Sequence, residues 1–153
     1  MKLIQIGTDA KGINTYPICV AWYDTVTHKG SYCVIKPVEY FIEDESKRIE
    51  SPTRSDAEQY GLNVSQVARH LNEKLFGCTV YTTNAIETIE HLNRIYQSCG
   101  DTPTYNVENL CEKFSQTEFN QYETEILYLR RISETYPLHY CIKLSELIEK
   151  ITS

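Results

Sequence analysis

The chain has 153 residues, 41% of them apolar and 24% charged, which suits a single folded domain with its own hydrophobic core. No apolar run is long enough to cross a membrane, and the apolar start at residues 3–6 becomes polar too soon for a secretory signal, so we expect a cytoplasmic protein. A net charge of −6 argues against nucleic-acid binding through a broad basic face. An acidic nucleic-acid enzyme whose site is balanced by metal ions stays possible.

The first 37 residues predict three strands. Residues 3–6 form a short apolar run that ends at Gly7-Thr8-Asp9. Residues 16–23 are apolar on both faces, which is typical of a strand in the centre of a sheet. Residues 31–36 alternate and stop at Pro37. Because the two connections are short, these strands are predicted to form an antiparallel meander.

The middle of the chain alternates between helix and strand signals. Residues 39–59 are polar and aperiodic and are interpreted as an irregular excursion. Asn63 with Gln66 forms a capping-box pattern at the start of a helix that Gly77 ends. Residues 78–82 predict a fourth strand.

A second helix is predicted to start at Asn84, which is followed at the capping distance by Glu87. Its expected buried stripe contains Ile86, Ile89, Leu92 and Ile95. Residues 102–105 then predict a last strand at the edge of the sheet.

Helices are predicted for the rest of the chain. Residues 107–114 indicate a short helix, and Ser115 with Glu118 begins a long one that continues to Ile132. After a break at Pro137, residues 139–151 form the terminal helix. The order predicts one α/β domain over residues 1–153, in which a mixed sheet, an antiparallel three-strand meander plus parallel strands, is flanked by helices.

The six cysteines are scattered, with no C-x-x-C pair, and several lie in apolar runs. We expect reduced, mostly buried thiols rather than disulfides or a zinc site.

Five segments resemble, in order, the DnaQ-like 3′–5′ exonucleases of the DEDD type, whose fold is RNase H-like. Residues 6–13, Ile-Gly-Thr-Asp-Ala-Lys-Gly-Ile, resemble the first motif, a strand ending in Asp-x-Glu before a small residue, a spacer and Gly-Leu. Residues 16–22 resemble the second strand. Tyr60-Gly61-Leu62 stands where members often have His-Gly-Ile, residues 80–83 resemble the strand before the third acid, and Pro137-Leu138-His139 resembles the start of the last motif.

The chain departs from this family at its acidic positions. Members hydrolyse phosphodiesters with two metal ions, and Mg²⁺ or Mn²⁺ needs several converging carboxylates. The matched positions here are Gly7, Asp9, Thr88 and Leu144, so only Asp9 carries a carboxylate. The resemblance therefore implies Asp9 and His139, the counterpart of the general base, as catalytic remnants, with no metal site and no cofactor.

The resemblance also implies substrate contacts near the fourth strand, at Thr83 and Asn84. Tyr40, Phe41 and Tyr60 could stack on bases. Each candidate has a structural alternative: Asp9 could form a turn before Lys11-Gly12, and His139 could make a local hydrogen bond at a helix start. Glu87 and His91, four residues apart, are interpreted as a surface pair.

Three functions stay open from the sequence. The first is a catalytically degenerate exonuclease-fold protein that binds a protein partner or a single-stranded nucleic-acid end. The second is an active Mg²⁺- or Mn²⁺-dependent exonuclease that uses Asp9, Glu87 and Glu146 in a shifted geometry. The third is an unrelated α/β interaction module. On the family interpretation, Asp9, residues 83–88 and His139 should surround one shallow depression at the end of the sheet.

Overall fold

The computed structural model describes residues 1–8, 17–38, 54–133 and 136–153, with the backbone alone at residues 54 and 55. The strands are Lys2–Thr8 (β1), Pro17–Asp24 (β2), Gly30–Val34 (β3), Thr79–Thr82 (β4) and Asn106–Asn109 (β5). The α-helices are Arg54–Tyr60 (α1), Val64–Lys74 (α2), Ala85–Cys99 (α3), Gln116–Asn120 (α4), Glu123–Ile132 (α5) and Pro137–Thr152 (α6), and a 3₁₀ turn covers Leu110–Glu112.

The five strands form one mixed sheet in the order β3-β2-β1-β4-β5. The pairs β1–β2 and β2–β3 are antiparallel, whereas β1–β4 and β4–β5 are parallel. The predicted α/β class, with a three-strand meander, parallel strands and flanking helices, is confirmed. β2 is buried along seven of its eight residues, as expected for a strand with neighbours on both sides.

Helices pack on both faces of the sheet because side chains alternate along each strand. Ile4 and its cross-strand partner Trp22 belong to the core under α2 and α3. The next pair, Leu3 and Tyr23, belongs to the second core, formed with α4, α5 and α6. None of the described helices is both long and apolar enough to span a membrane.

The edge strand lies four residues later than predicted. The pairing of β5 with β4 begins where the Asn106 amide donates a hydrogen bond to the Cys78 carbonyl. The predicted strand residues are held outside the sheet instead, because the Asn72 side chain donates to the Thr102 carbonyl and accepts from the Thr104 amide. The short helix expected from residue 107 is reduced to the 3₁₀ turn after β5.

The long helix predicted after Ser115 is two helices. Ser115 and Glu118 form the expected capping box, but α4 ends at Asn120. Tyr122 leaves the helical conformation, with φ −120° and ψ 47°, and its hydroxyl donates to the Lys150 carbonyl in α6. The position of Tyr122 in the apolar stripe does not predict this hydrogen bond to α6.

α1 occupies residues that were predicted to be irregular; the rest of that excursion, residues 39–53, lies outside the described residues. Ala57 is fully buried, and Gly61 closes the helix by donating its amide to the Ala57 carbonyl. A Cβ at Gly61 would meet that carbonyl and lie 2.6 Å from Lys36 N, so only glycine fits where this turn meets the sheet.

The buried face of α3 also differs from the predicted stripe. Ile86 and Ile89 are exposed, with 72% and 38% of their surface accessible, whereas Leu92 and Ile95 are buried as expected. Thr88 and His91 are buried in their place. The sequence prediction was wrong here because hydrophobic periodicity assigned isoleucines to the buried face, whereas the helix buries two polar residues instead.

Candidate functional site

A small cavity lies where β1 and β4 end. These strands are parallel neighbours, so their carboxyl ends meet at one edge of the sheet. The strand that follows β1 in the chain, β2, lies on one side of the pair, and the strand that follows β4, β5, lies on the other. Ligands of open α/β sheets bind at such switch points. The cavity, about 140 Å³ in volume, is called the polar cavity below, and its lining residues are Gln5, Ile6, Thr8, Thr83, Asn84, Glu87, Thr88, His91 and Ser133.

The start of α3 supplies four of these side chains from one helix face. The Asn84 side chain caps the helix by accepting from Glu87 N at 3.2 Å, and its amide donates to Glu87 Oε2 at 3.1 Å. Thr88 lies one helical turn after Asn84, and its hydroxyl is 3.3 Å from the hydroxyl of Thr82. His91 follows a turn after Glu87. The helix phase therefore brings a carboxylate, a hydroxyl and an imidazole to one wall.

His91 was misinterpreted from the sequence. It was predicted to form a surface pair with Glu87, but only 2% of its surface is accessible, and both residues line the polar cavity. No sequence signal separated the two possibilities, because the spacing of four residues fits an exposed face and a site wall equally well.

The opposite wall comes from β1 and the end of α5. The Gln5 side-chain amide donates to the Ser133 carbonyl at 2.8 Å and ties the sheet to α5. Thr8, the last residue of β1, is 2% exposed. Gln5, Thr8 and Ser133 were not singled out from the sequence, although a glutamine within a buried apolar strand is the kind of signal that could have identified this wall.

Three of the four positions matched to the acids of the exonucleases are described, and each of these three residues makes packing or hydrogen-bond contacts within the fold. Gly7 pairs with Cys19 in the sheet, Thr88 is hydrogen-bonded to Thr82, and Leu144 is 1% exposed in the core of α6. Asp9 lies outside the described residues. Glu146 does not line the polar cavity; it is solvent-exposed and pairs with Lys143 at 2.9 Å.

The metal-binding capacity of the described site is low. No three histidine, cysteine, aspartate or glutamate side chains of the described residues converge in a metal-binding arrangement. Glu87 is the single carboxylate among the described residues that line the polar cavity. Two close dications repel each other and need several carboxylates to offset that repulsion, so Glu87 alone cannot hold them.

His139 lies outside the polar cavity, so it does not surround this depression together with residues 83–88 as expected. It is exposed near the start of α6, and its Nε2 lies 2.9 Å from the Tyr128 hydroxyl, with the two rings nearly perpendicular. It does not line the polar cavity. Tyr128, Arg131, Tyr136 and His139 are all exposed at the junction of α5 and α6 and are called the α5–α6 patch below.

Only some of the residues predicted to contact substrate line the polar cavity. Thr83 and Asn84 are exposed at the rim of the polar cavity, and the Thr83 hydroxyl is hydrogen-bonded to that of Tyr140. Burial raises the pKa of Tyr140, which keeps this phenol protonated. Tyr60 is 72% exposed at the end of α1 but does not line the cavity. Tyr40 and Phe41 lie outside the described residues.

The polar cavity can therefore donate and accept hydrogen bonds through hydroxyl and amide groups, with one carboxylate and one imidazole beside them. No protein-family model matches the chain, and no curated protein matches it significantly.

Proposed function

We propose that this protein is a non-catalytic binding protein with an RNase H-like, exonuclease-like fold, and that it holds the end of a single-stranded nucleic acid at the polar cavity. The strand order β3-β2-β1-β4-β5, with its mixed directions, supports the family resemblance. The six free cysteines fit the expected cytoplasmic location.

The observation that carries the proposal is the lining of the polar cavity at the β1–β4 switch point. Thr8, Thr83, Thr88 and Ser133 bring hydroxyl groups, and Gln5 and Asn84 bring amides. Such groups can hydrogen-bond to sugar hydroxyls, base edges and phosphate oxygens without a metal ion. A lining whose described residues offer one carboxylate favours binding over two-metal hydrolysis, because two close dications need several carboxylate ligands.

The α5–α6 patch supports a single-stranded ligand. Ser133, which caps the end of α5, lines the polar cavity, and α5 itself carries the exposed Tyr128 and Arg131. Exposed aromatic rings stack on unpaired bases, and arginine adds local positive charge. With a net charge of −6, counterion release contributes little, so we expect weak binding that prefers single-stranded ends.

Fluorescence anisotropy with a labelled single-stranded oligonucleotide and a matching blunt duplex tests the proposal. Wild type should bind the single strand more tightly, and Thr83→Phe, which fills the rim of the polar cavity, should weaken binding about tenfold. Thr27→Phe, on the exposed turn between β2 and β3, is the matched control. Nanomolar duplex binding at physiological salt would contradict the proposal, and no binding at all would favour a protein partner instead.

Two variants of α3 that remove the same charge test whether the ligand enters the polar cavity. Glu87 lines the polar cavity, whereas Glu90 is exposed on the same helix and does not. If an anionic end enters the cavity, Glu87→Gln should strengthen binding about threefold because a like charge is removed, and Glu90→Gln should change it little. Equal effects of both variants would place the ligand elsewhere.

An active Mg²⁺- or Mn²⁺-dependent exonuclease is the second candidate. The observation in its favour is that Glu87 shares the cavity with Thr8, the residue directly before Asp9 in the chain. In that case Glu87→Gln should abolish oligonucleotide hydrolysis rather than strengthen binding, so the same variant separates the two functions.

A further inference from the structure

We propose that a second cavity of this protein binds a small organic anion with an apolar body. This cavity, called the apolar cavity below, has a volume of about 280 Å³ and lies between α4, α5, α6 and the 3₁₀ turn. Thr83 and Ser133 line both cavities, so the two are adjacent. The inference goes beyond the nucleic-acid proposal and does not depend on it.

The walls of the apolar cavity select a hydrophobic body. Five of its lining side chains come from three different helices: Phe119, Ile126, Leu129, Leu144 and Leu147. Four of them, all but Ile126, are at least 91% buried in the protein, so the wall is set by core packing and not by loose surface side chains. The volume is nearly twice the ~150 Å³ that accommodates benzene in an engineered apolar cavity. A single ring with a short chain fits this size.

The rim of the apolar cavity selects the charge of the ligand. Arg130 lines the cavity from α5 and is exposed. The ion pairs found in the described residues, Lys143–Glu146 and Lys150–Glu125, do not include it. Glu123 lines a neighbouring depression together with Arg130, yet the two form no ion pair. An arginine that forms no ion pair with the described carboxylates offers a planar pair of donors that matches a carboxylate or phosphate head group.

A pair of hydroxyl groups also lines this cavity. The Thr83 and Tyr140 hydroxyls are hydrogen-bonded to each other on the sheet side, and both residues line the cavity. A ligand placed with its apolar body among the leucines can direct an acidic group to Arg130 and a polar substituent to this pair. Such a mostly apolar pocket with a few convergent polar groups is typical of small-molecule sites.

The test compares two probes of the same shape, 3-phenylpropionate and its neutral analogue 3-phenyl-1-propanol, by NMR chemical-shift titration of the wild-type chain. The acid should bind with a dissociation constant of about 1 mM and shift resonances of α5 and α6. The alcohol should bind about tenfold more weakly, because it makes no charge-assisted hydrogen bond.

Two variants distinguish a specific site from general hydrophobic binding. Arg130→Gln should weaken binding of 3-phenylpropionate about tenfold. Arg69→Gln removes the same charge from an exposed position on α2, which does not line the apolar cavity, and should leave binding unchanged. Equal affinity for acid and alcohol, equal effects of the two variants, or no binding of the acid at about 10 mM would each overturn the proposal. Because the readout uses no oligonucleotide, its failure leaves the nucleic-acid proposal unaffected.

Discussion

Trp22 and His70 make a hydrogen bond that links the sheet to α2 and should couple folding to pH. The Trp22 indole donates to His70 Nε2 at 3.3 Å, which requires a neutral ring. Burial lowers the pKa of His70 below its ordinary value, and Lys74 lowers it further, although Glu73 acts in the opposite direction. As pH falls below about 6.5, the unfolded chain therefore takes up this proton more readily than the folded one.

We predict that this histidine makes the free energy of unfolding fall as the pH drops below about 6.5, with the loss complete below the folded-state pKa. His70→Gln should show a shallower dependence over the same range in denaturant titrations at several pH values. His139→Gln, which removes an exposed histidine, is the control. A slope unchanged in His70→Gln would show that the indole–imidazole bond does not control this dependence.

The six thiols should react at very different rates. Cys19, Cys33 and Cys141 are buried, Cys78 and Cys99 are partly buried, and Cys111 is exposed, so fewer are buried than the sequence suggested. Burial raises the pKa of Cys19 to about 12 and raises that of Cys33 and Cys141 as well, which disfavours the reactive thiolate.

We predict that a thiol reagent labels Cys111 first in the native protein and that the three buried cysteines react only after unfolding. Mass spectrometry of labelled peptides over time measures the order. Cys111→Ser should remove the fast phase and leave the others unchanged. Rapid labelling of Cys141 without denaturant would contradict the packing of α6 against the sheet.

The sequence identified site residues well where local structure determines their position. Thr83 and Asn84 lie at the cavity rim because they follow a strand and begin a helix, and both signals are local. His91 and Ser133 were missed because their positions depend on how α3 and α5 pack against the sheet. The role of Asp9 as a catalytic remnant stays a prediction, since Asp9 lies outside the described residues.

At the level of elements, α2 has the strongest local signal and a direct test. Asn63 and Gln66 form the predicted capping box, and Asn63 Oδ1 accepts from Gln66 N at 3.0 Å. Asn63→Ala leaves the first turn without this acceptor, so we predict a loss of about 1 kcal/mol in the free energy of unfolding.

Chemical denaturation measures this loss, and Ser65→Ala is the matched control. The Ser65 hydroxyl only donates to Asn63 Oδ1, so its removal leaves the cap in place and should cost much less. A loss in Ser65→Ala as large as that in Asn63→Ala would show that the exposed hydrogen-bond cluster, and not the cap, stabilises α2.

Element prediction succeeded for β1–β4, α2 and α6 because their periodicity and caps are local. It failed where a distant residue decides the outcome. Asn72 holds residues 102–104 away from the sheet and delays β5, and the contact of Tyr122 with Lys150 accompanies the break between α4 and α5. The periodicity of a single segment carries no information on such partners.

At the scale of the whole molecule, the order of the sheet follows from short connections early in the chain and helical crossovers later. The short sequence separation of β1, β2 and β3 favours the antiparallel meander, and the crossover through α3 favours parallel pairing of β4 and β5. This arrangement places the ends of β1 and β4 side by side and creates the polar cavity. The adjoining apolar cavity could not be predicted, because it depends on how α4, α5 and α6 pack together.

The central claim, binding without metal-dependent hydrolysis, is tested most directly by following the length of a labelled single-stranded oligonucleotide incubated with wild type in millimolar Mn²⁺. The claim predicts that the oligonucleotide keeps its length, because Thr88 and Leu144 occupy the positions matched to acids in the exonucleases that the sequence resembles, and Glu87 is the single carboxylate among the described lining residues. Progressive shortening from the 3′ end by wild type, lost in Asp9→Ala, would contradict the claim and identify the protein as an active exonuclease.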